Sequence, residues 1–562
     1  MQKMYPSNYL MKIIILTLIL FPISCISSST IQGNPQYELQ ISKIPHSNRI
    51  TTKLESLELQ FPNKYHNLTE LYAELDYFNQ TASDLIDYSF IGLSHWNNPI
   101  PLITLTNEDV AEDLKGKTYV VAHHHAREHI TIEHTVRTIR DLVNGYFTLD
   151  QKIGELLDRT IIYFIVTLNP DSLDYTIYND SWQRKNMRPI DDDNDGLIDE
   201  DGPDDADGDG YISIYSAEYE DGGWETWLEG SDEDGDGLIN EDAGGGVDLN
   251  RNYPIHWNDS SCDSGCTSNT LLEDYQGSAP LSENETKALV DFVEKHKFSH
   301  ASSLHSGTMI PILGWGYTNE RQAEYKLYEK MLDYWESESL LPASFFDETN
   351  TDVDYTVAGD WSDWNYVTQH ILPLTLEIYK STGTGDWRYY KSNGTHSIYE
   401  SDVNFFFPPA SQIESVHRGL YNFEEHWLSL TPSIEADSPK YIKLNDGNKI
   451  EIPLKSGSQF FNTTDNAKVE VHASNQNLIL DFTEEIGTLS PTTTTKLPIS
   501  LANELPESFT LFVNITSEYA SDLHLEIDVS ATDFKATPGF SVIIVLTTIL
   551  VIAPIIRRRK IL

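Results

Sequence analysis

The sequence predicts an alternating α/β unit, followed by a small all-β sandwich and a C-terminal transmembrane segment. Three observations carry that reading. Continuous apolar runs at 119–121 and 161–166 flank a stretch, 130–146, whose apolar residues recur at helical spacing. After Ser433, short alternating segments separated by Asn, Gly and Pro replace that pattern. Residues 540–556 are apolar and are followed at once by Arg557-Arg558-Arg559-Lys560.

Taken in order, Met11-Lys12, the apolar run 13–21 and the small residues up to Ser29 form a charged start, a short apolar core and a small-residue end. That is the pattern of a secretory signal over 1–29. Residues 30–62 are polar and weakly patterned, as in a linker or short pro-segment. The α/β unit then occupies 63–432. Helical spacing appears at 68–78, with Asn67 or Thr69 near its start, and again at 130–146, 283–296 and 321–337. Residues 433–535 are assigned to the sandwich, with strands at 441–444, 469–471 and 509–513. Residues 538–562 form a membrane anchor with a basic cytoplasmic tail, or a sorting signal, since Pro538-Gly539-Phe540 resembles the C-terminal sorting signals of archaeal surface proteins. On either reading the body of the chain lies on the extracellular face of the membrane. Cys262 and Cys266 are spaced to close a small disulfide in that oxidising compartment.

Charge excludes one class of partner. The formal net charge is -49, which argues against nucleic acid or anionic lipid as the main ligand. Between Asp191 and Asp242 there are 22 acidic residues and no Lys or Arg.

Chemistry concentrates at His123-His124-His125-Ala126-Arg127-Glu128. His125 and Glu128 stand three apart where a predicted strand hands over to a helix, so both can reach one metal ion from the same side. A third His from elsewhere would leave a coordination position open for water, as catalytic zinc requires. By itself His-x-x-Glu competes with a plain surface histidine cluster. It is joined, in order, by Asn169-Pro170-Asp171, Arg184-Lys185-Asn186, Val247-Asp248-Leu249-Asn250-Arg251-Asn252-Tyr253, Leu304-His305-Ser306, Tyr355 ahead of Asp363-Trp364, Leu376-Glu377-Ile378 and Pro409-Ala410-Ser411-Gln412-Ile413.

This ordered set resembles the M14 zinc carboxypeptidases, the family of pancreatic carboxypeptidases A and B, over about residues 63–430. The resemblance implies a mixed sheet with helices on both faces. It makes His125, Glu128 and His305 the zinc ligands and Glu377 the general base. Asn250 and Arg251 match the pair that grips a substrate's free carboxylate, and Tyr355 matches a tyrosine that closes over substrate. Arg127 and Arg184, inside the matching motifs, are carried over as substrate-binding. The Arg that polarises the scissile carbonyl should fall three residues after Arg184. Met187 stands there, and the role is assigned to Arg188 by a one-residue shift. The base of the specificity pocket maps to Ser362, neither bulky nor acidic, with Asp360 two residues earlier in reach of a basic side chain. A broad or mixed preference is expected.

The acidic insertion, 190–243, repeats a spacing of its own. Oxygen-bearing side chains recur at Asp191, Asp193, Asp195 and Asp199, at Asp205, Asp207 and Asp209, and at Asp232, Asp234, Asp236 and Asn240, around turn glycines. That is the ligand order of a calcium loop, although no Glu stands at the twelfth position. A disordered acidic tract is the competing reading. The expectation is a zinc-dependent, calcium-supported carboxypeptidase acting on peptide C-termini outside the cell. An amidohydrolase acting on cell-wall peptides or acylated amino acids, and an inactive surface-binding protein, are the alternatives. Asn250 and Arg251 argue against the first, and the full set of ligands with Glu377 argues against the second.

Overall fold

The computed structural model describes residues 56–530 except 179–182, 192–195, 200, 205, 209–213, 219–223, 234, 241, 243–244, 260–261, 314, 347–355, 381–386, 393–396, 402–405, 437–440, 445–447, 462–466, 518–519 and 521. The expected signal segment, Tyr355 and the expected anchor at 538–562 lie outside the described residues. Among the described residues no helix is long and apolar enough to cross a membrane.

Asn67 opens the first helix, α1 (Leu68–Thr81), through a capping box: its side chain accepts from Glu70 N, and Glu70 accepts back from Asn67 N. Such a cap contributes about 1 kcal/mol. There follow β1 (Ile86–Leu93), β2 (Pro99–Leu105), β3 (Gly116–Ala122), α2 (Ile130–Phe147), α3 (Gln151–Arg159), β4 (Thr160–Ile165) and α4 (Pro170–Tyr178). The insertion contributes β5 (Ile214–Glu218) and β6 (Trp224–Leu228). Next come α5 (Asn284–Val293), β7 (His300–His305), β8 (Met309–Ile312), α6 (Tyr325–Ser337), α7 (Trp361–Trp364), β9 (Leu372–Ile378), β10 (Trp387–Ser392), β11 (Ser397–Ser401) and α8 (Ile413–Ser429). The helix expected from Glu283 begins one residue later. Glu283 occupies the cap position, and its carboxylate accepts from Asn186 and Arg188.

Seven strands form one mixed sheet in the order β1-β2-β4-β3-β7-β9-β8. The middle four are parallel and the edges antiparallel. Parallel strands are covered on both faces, which is why their sequences read as continuous apolar runs. Along β3, Val120 and Ala122 face the core shared with α1, α2, α6 and α8, while Tyr119 and Val121 face that of α5, Trp361 and Trp364. The carboxyl ends of β3, β7 and β9 therefore open together, where an α/β sheet holds its ligands.

The acidic insertion is not loop throughout. Its β5–β6 hairpin adds to the β10–β11 hairpin in a four-stranded sheet, β10-β11-β5-β6, with Ser397 opposite Glu218 and Ser401 opposite Ile214. It is thereby joined to the chain that follows β9.

The C-terminal part is all β. Strands β12 (Ile434–Ala436), β13 (Tyr441–Lys443), β14 (Lys449–Ser456), β15 (Lys468–Ala473), β16 (Ile479–Phe482), β17 (Thr495–Leu501), β18 (Ser508–Thr516) and β19 (Leu523–Ser530) make two four-stranded sheets, β12-β14-β17-β16 and β13-β19-β18-β15. Strict alternation in β14 and β15 turns Ile450, Ile452, Leu454, Val469 and Val471 into one core shared by both sheets.

Candidate active site

The loop after β3 sets up the first ligands. His123 sits at φ 61°, a left-handed conformation that costs a non-glycine residue about 1–3 kcal/mol. Its ring secures the turn by bonding Thr167 Oγ1 and Ala126 O, each at 2.8 Å. The turn brings His125 and Glu128 onto His305, the last residue of β7. His125 Nδ1 lies 2.7 Å from Glu128 Oε1, and His305 Nδ1 lies 3.0 Å from Glu128 Oε2. The two Nδ1 atoms are 3.2 Å apart, and all three residues are buried.

Two ring nitrogens facing one another over a carboxylate leave polar atoms unsatisfied. His305 Nε2 has no hydrogen-bond partner among the described residues. Two imidazoles and one carboxylate, converging beside a cavity, are the donor set of a catalytic zinc with an open position, and the residues fit that ion. Among the described residues this is the only group of three or more His, Cys, Asp or Glu side chains close enough to share a metal.

The next layer of the site includes a residue that was not singled out from the sequence. Asp248 Oδ1 lies 3.2 Å from His125 Nε2, and its Oδ2 accepts from Arg184 Nε at 2.8 Å. Burial alone would raise Asp248, but Arg184 and His125 outweigh it and hold the carboxyl well below its usual range. Asp248 stands two residues before Asn250 in a quoted motif, which was the available signal. His124 was also missed. Its ring stacks on His305 at 5.3 Å and bonds Tyr253 Oη and Ser303 Oγ, fixing the ligand's plane.

A cavity of about 100 Å³ opens on these ligands, lined by His125, Arg184, Asn250, Arg251, His305, Ile312, Gly316, Val357, Asp360, Ser362, Thr375 and Glu377. Burial and then Glu128 push Glu377 up to about 8, and its Oε2 has no hydrogen-bond partner among the described residues. Asn250 and Arg251 lie in a 3-10 turn, Leu249–Arg251, capped by Asp248. Asn250 is oriented from both ends of its amide: Nδ2 donates to Asp360 Oδ2 at 3.1 Å, and Oδ1 accepts from Trp361 N at 3.0 Å. Asp360 caps α7 with Oδ1, which also accepts from Ser362 Oγ.

The structure corrects one assignment. Arg188 does not line the cavity; its guanidinium pairs with Glu283 at 2.8 Å. By Asn186 the chain has already turned away, exchanging backbone bonds with Gly246 and Val247 and sending its amide to Glu283. The arginines that line the cavity are Arg184 and Arg251, and of these Arg184 is the one beside the expected position. Arg127, also expected at the substrate, bonds Glu273 at 2.8 Å and lies 4.0 Å over Phe406, outside the cavity lining.

Of the expected calcium ligands, Asp193, Asp195, Asp205, Asp209 and Asp234 lie outside the described residues. Asp191, Asp199, Asp207, Asp232, Asp236 and Asn240 are described. In the first and third repeats the opening Asp accepts from the turn glycine five residues on, Asp191 from Gly196 and Asp232 from Gly237, both at 3.1 Å. The two repeats are cross-linked by a bridge between Asp201 and Asp242.

Comparison with known proteins places this geometry. The sequence profile of the family described as "Zinc carboxypeptidase" matches residues 71–423. A "Zinc carboxypeptidase" of Saccharothrix mutabilis subsp. capreolus is 32% identical over 130 residues, 22% of this chain and 29% of the relative. "Carboxypeptidase A4" of Mus musculus is 24% identical over 379 residues, 66% of this chain and 70% of that one. Carboxypeptidase A from Helicoverpa armigera, a solved structure, aligns at 17% identity and a TM-score of 0.44, covering 67% of this chain and 75% of its own. With the profile spanning well over half of its length, this chain belongs to the zinc carboxypeptidase family, a family of metallocarboxypeptidases.

Proposed function

We propose that this protein removes single residues from the free C-termini of extracellular peptides, using Glu377 as the proton carrier. The observation that carries the reading is the shared cavity. His125 and His305 of the metal cluster, Glu377, Arg184 and the Asn250–Arg251 pair all line one space of about 100 Å³, with Glu128 completing the cluster behind the two histidines. Zinc, when bound at the cluster, supplies Lewis acidity and a more acidic water. Glu377 takes a proton at its carboxylate and returns it to the departing amine. The Arg184 guanidinium donates to the carbonyl oxygen as that oxygen gains charge, held for the task by Asp248. Asn250 and Arg251 offer their donors to the terminal carboxylate, with Arg251 supplying a bidentate fork. Ser362 at the pocket base, beside Ile312, Val357 and Thr375, suits a broad side-chain preference. Tyr355 is assigned the closing role on its motif alone.

The proposal includes the surroundings of the catalyst. The chain is exported by 1–29, carries a linker or pro-segment at 30–62, and is held at the outer face of the membrane by 538–562. Its sandwich, 433–535, is a spacer between catalyst and membrane. Calcium orders the acidic insertion, a reading supported by the same Asp-to-glycine bond in two repeats. Because the insertion pairs with the chain after β9, calcium removal with zinc retained should lower both activity and melting temperature.

Release of the C-terminal residue from N-blocked dipeptides, compared with the same dipeptides amidated at the C-terminus, tests the function. Zinc-dependent release from the free acids alone supports it. Release from both, or from neither with zinc bound, contradicts it.

A further inference from the structure

We infer that the ring closed by Cys262 and Cys266 is a positioning element for the carboxylate-binding end of the cavity, holding Arg251 and residues 356–360 in one fixed relation. The inference rests on the proposed role of Arg251. The two cysteines are bonded with their Cα atoms 6.0 Å apart.

The ring touches the site from two sides. Its backbone pairs with the segment that follows Tyr355 in the sequence: Asp263 N and Ser264 N donate to Thr356 O at 2.9 and 3.1 Å, and Ala358 N donates to Ser264 O at 3.0 Å. Asp263 Oδ2 accepts from Thr356 N at 2.8 Å and from Thr356 Oγ1 at 3.0 Å. Two residues of that segment, Val357 and Asp360, line the cavity. The tip of the ring meets Arg251 directly. Gly265 has φ +80°, and a Cβ there would stand 2.1 Å from Arg251 Cδ and 2.9 Å from Ala358 O. Only glycine accommodates both the conformation and the contact.

The paired segment closes on the same arginine from its other side. At Gly359, φ +64°, a Cβ would stand 2.1 Å from Arg251 O, and Gly359 O accepts from Tyr253 N at 2.9 Å. Two close glycine contacts, one from the ring and one from the segment it holds, therefore fix the side chain and the backbone of Arg251. The ring is itself tied down by Asp274, which accepts from Ser264 Oγ and Gly265 N. An arginine held by packing loses little freedom when a carboxylate arrives, so rigidity here becomes substrate affinity. The metal cluster, Glu377 and Arg184 lie on other elements, so loosening the ring should act on binding more than on turnover.

The test compares the parent with Cys262→Ser/Cys266→Ser and with Gly265→Ala, each loaded with zinc. Steady-state rates on a blocked dipeptide acid should show KM raised tenfold or more, with kcat within about twofold, and zinc content unchanged. Asp263→Asn, which keeps an acceptor, should stay near the parent, while Asp263→Ala shifts toward the ring variants. Phenylglyoxal labelling of Arg251, read by mass spectrometry, should run at least tenfold faster in the two ring variants. That readout does not depend on catalysis. An unchanged Arg251 labelling rate overturns the inference, as does a fall in kcat with loss of zinc. A parent that labels as expected but cleaves no dipeptide would overturn the proposed function and leave the positioning role standing.

Discussion

Glu377 stands directly opposite His305 in the register of two neighbouring parallel strands, β9 and β7. β3, which leads into His125 and Glu128, is the next strand across, pairing Ala122 with Leu304. Register thus sets the distance between the metal cluster and the carboxylate proposed to carry protons. Side chains alternate along a strand, so a one-residue slip of β9 would turn Glu377 away from the cavity.

The two arginines separate cleanly by experiment. Arg184 lines the cavity and leans on Asp248, while Arg188 pairs with Glu283 away from it. Arg184→Ala should lower kcat/KM by about 10²–10³. Arg188→Ala should change it by less than about threefold, in line with a partly exposed ion pair. The reverse order in steady-state kinetics would restore the assignment made from the motif spacing.

Asp248 is expected to matter through His125. It receives the ring nitrogen that faces away from the cluster. Losing such a partner typically weakens metal binding 10–100-fold. Asp248→Asn should therefore release zinc to a competing chelator at lower concentration, with the fold intact by circular dichroism. Equal zinc affinity would remove Asp248 from this role.

His66 should give the protein a pH-dependent part of its stability. Burial lowers its pKa, but Glu133, 2.8 Å away, and then Glu74 outweigh burial and raise it to about 9. A group raised in the fold contributes stability that is fully present below its unfolded value, about 6.5, and is lost as pH climbs through about 9. The contribution is on the order of 3 kcal/mol. Melting curves of the parent and His66→Gln should converge between pH 6.5 and 9; parallel curves would contradict this.

Glu424 works in the opposite sense. Neither of its carboxylate oxygens has a hydrogen-bond partner among the described residues, and burial alone pushes it up to about 8. An acid raised in the fold is tolerated while protonated and destabilises progressively above its unfolded value, about 4.3. Glu424→Met should stabilise the protein at pH 7 by up to about 3 kcal/mol and do little at pH 4. A melting temperature lowered at pH 7 would show that the carboxyl has a partner the fold needs.

Much of this site was legible because its residues sit in short motifs whose order survives. His125, His305, Glu377, Asn250 and Arg251 were all named from the sequence, and the fold brings them to one cavity, with Glu128 joining the two histidines in the metal cluster. Arg188 was misplaced because spacing in a loop says nothing about where the chain turns. The turn is set by Asn186 bonding across to Gly246 and Val247, a contact some sixty residues away. The strands inside the acidic insertion were hidden for a similar reason: β5 finds its partner in β11, far along the chain. Asp248 and His124 act through other side chains, and a sequence does not display such second contacts.

The most direct test is zinc-dependent release of the C-terminal residue from a blocked dipeptide, measured side by side for the parent and Glu377→Gln with zinc confirmed in both. The account predicts a fall in kcat of about 10²–10⁴ with KM little changed, since Glu377 moves a proton and does not hold the substrate. Turnover by Glu377→Gln within tenfold of the parent would contradict it.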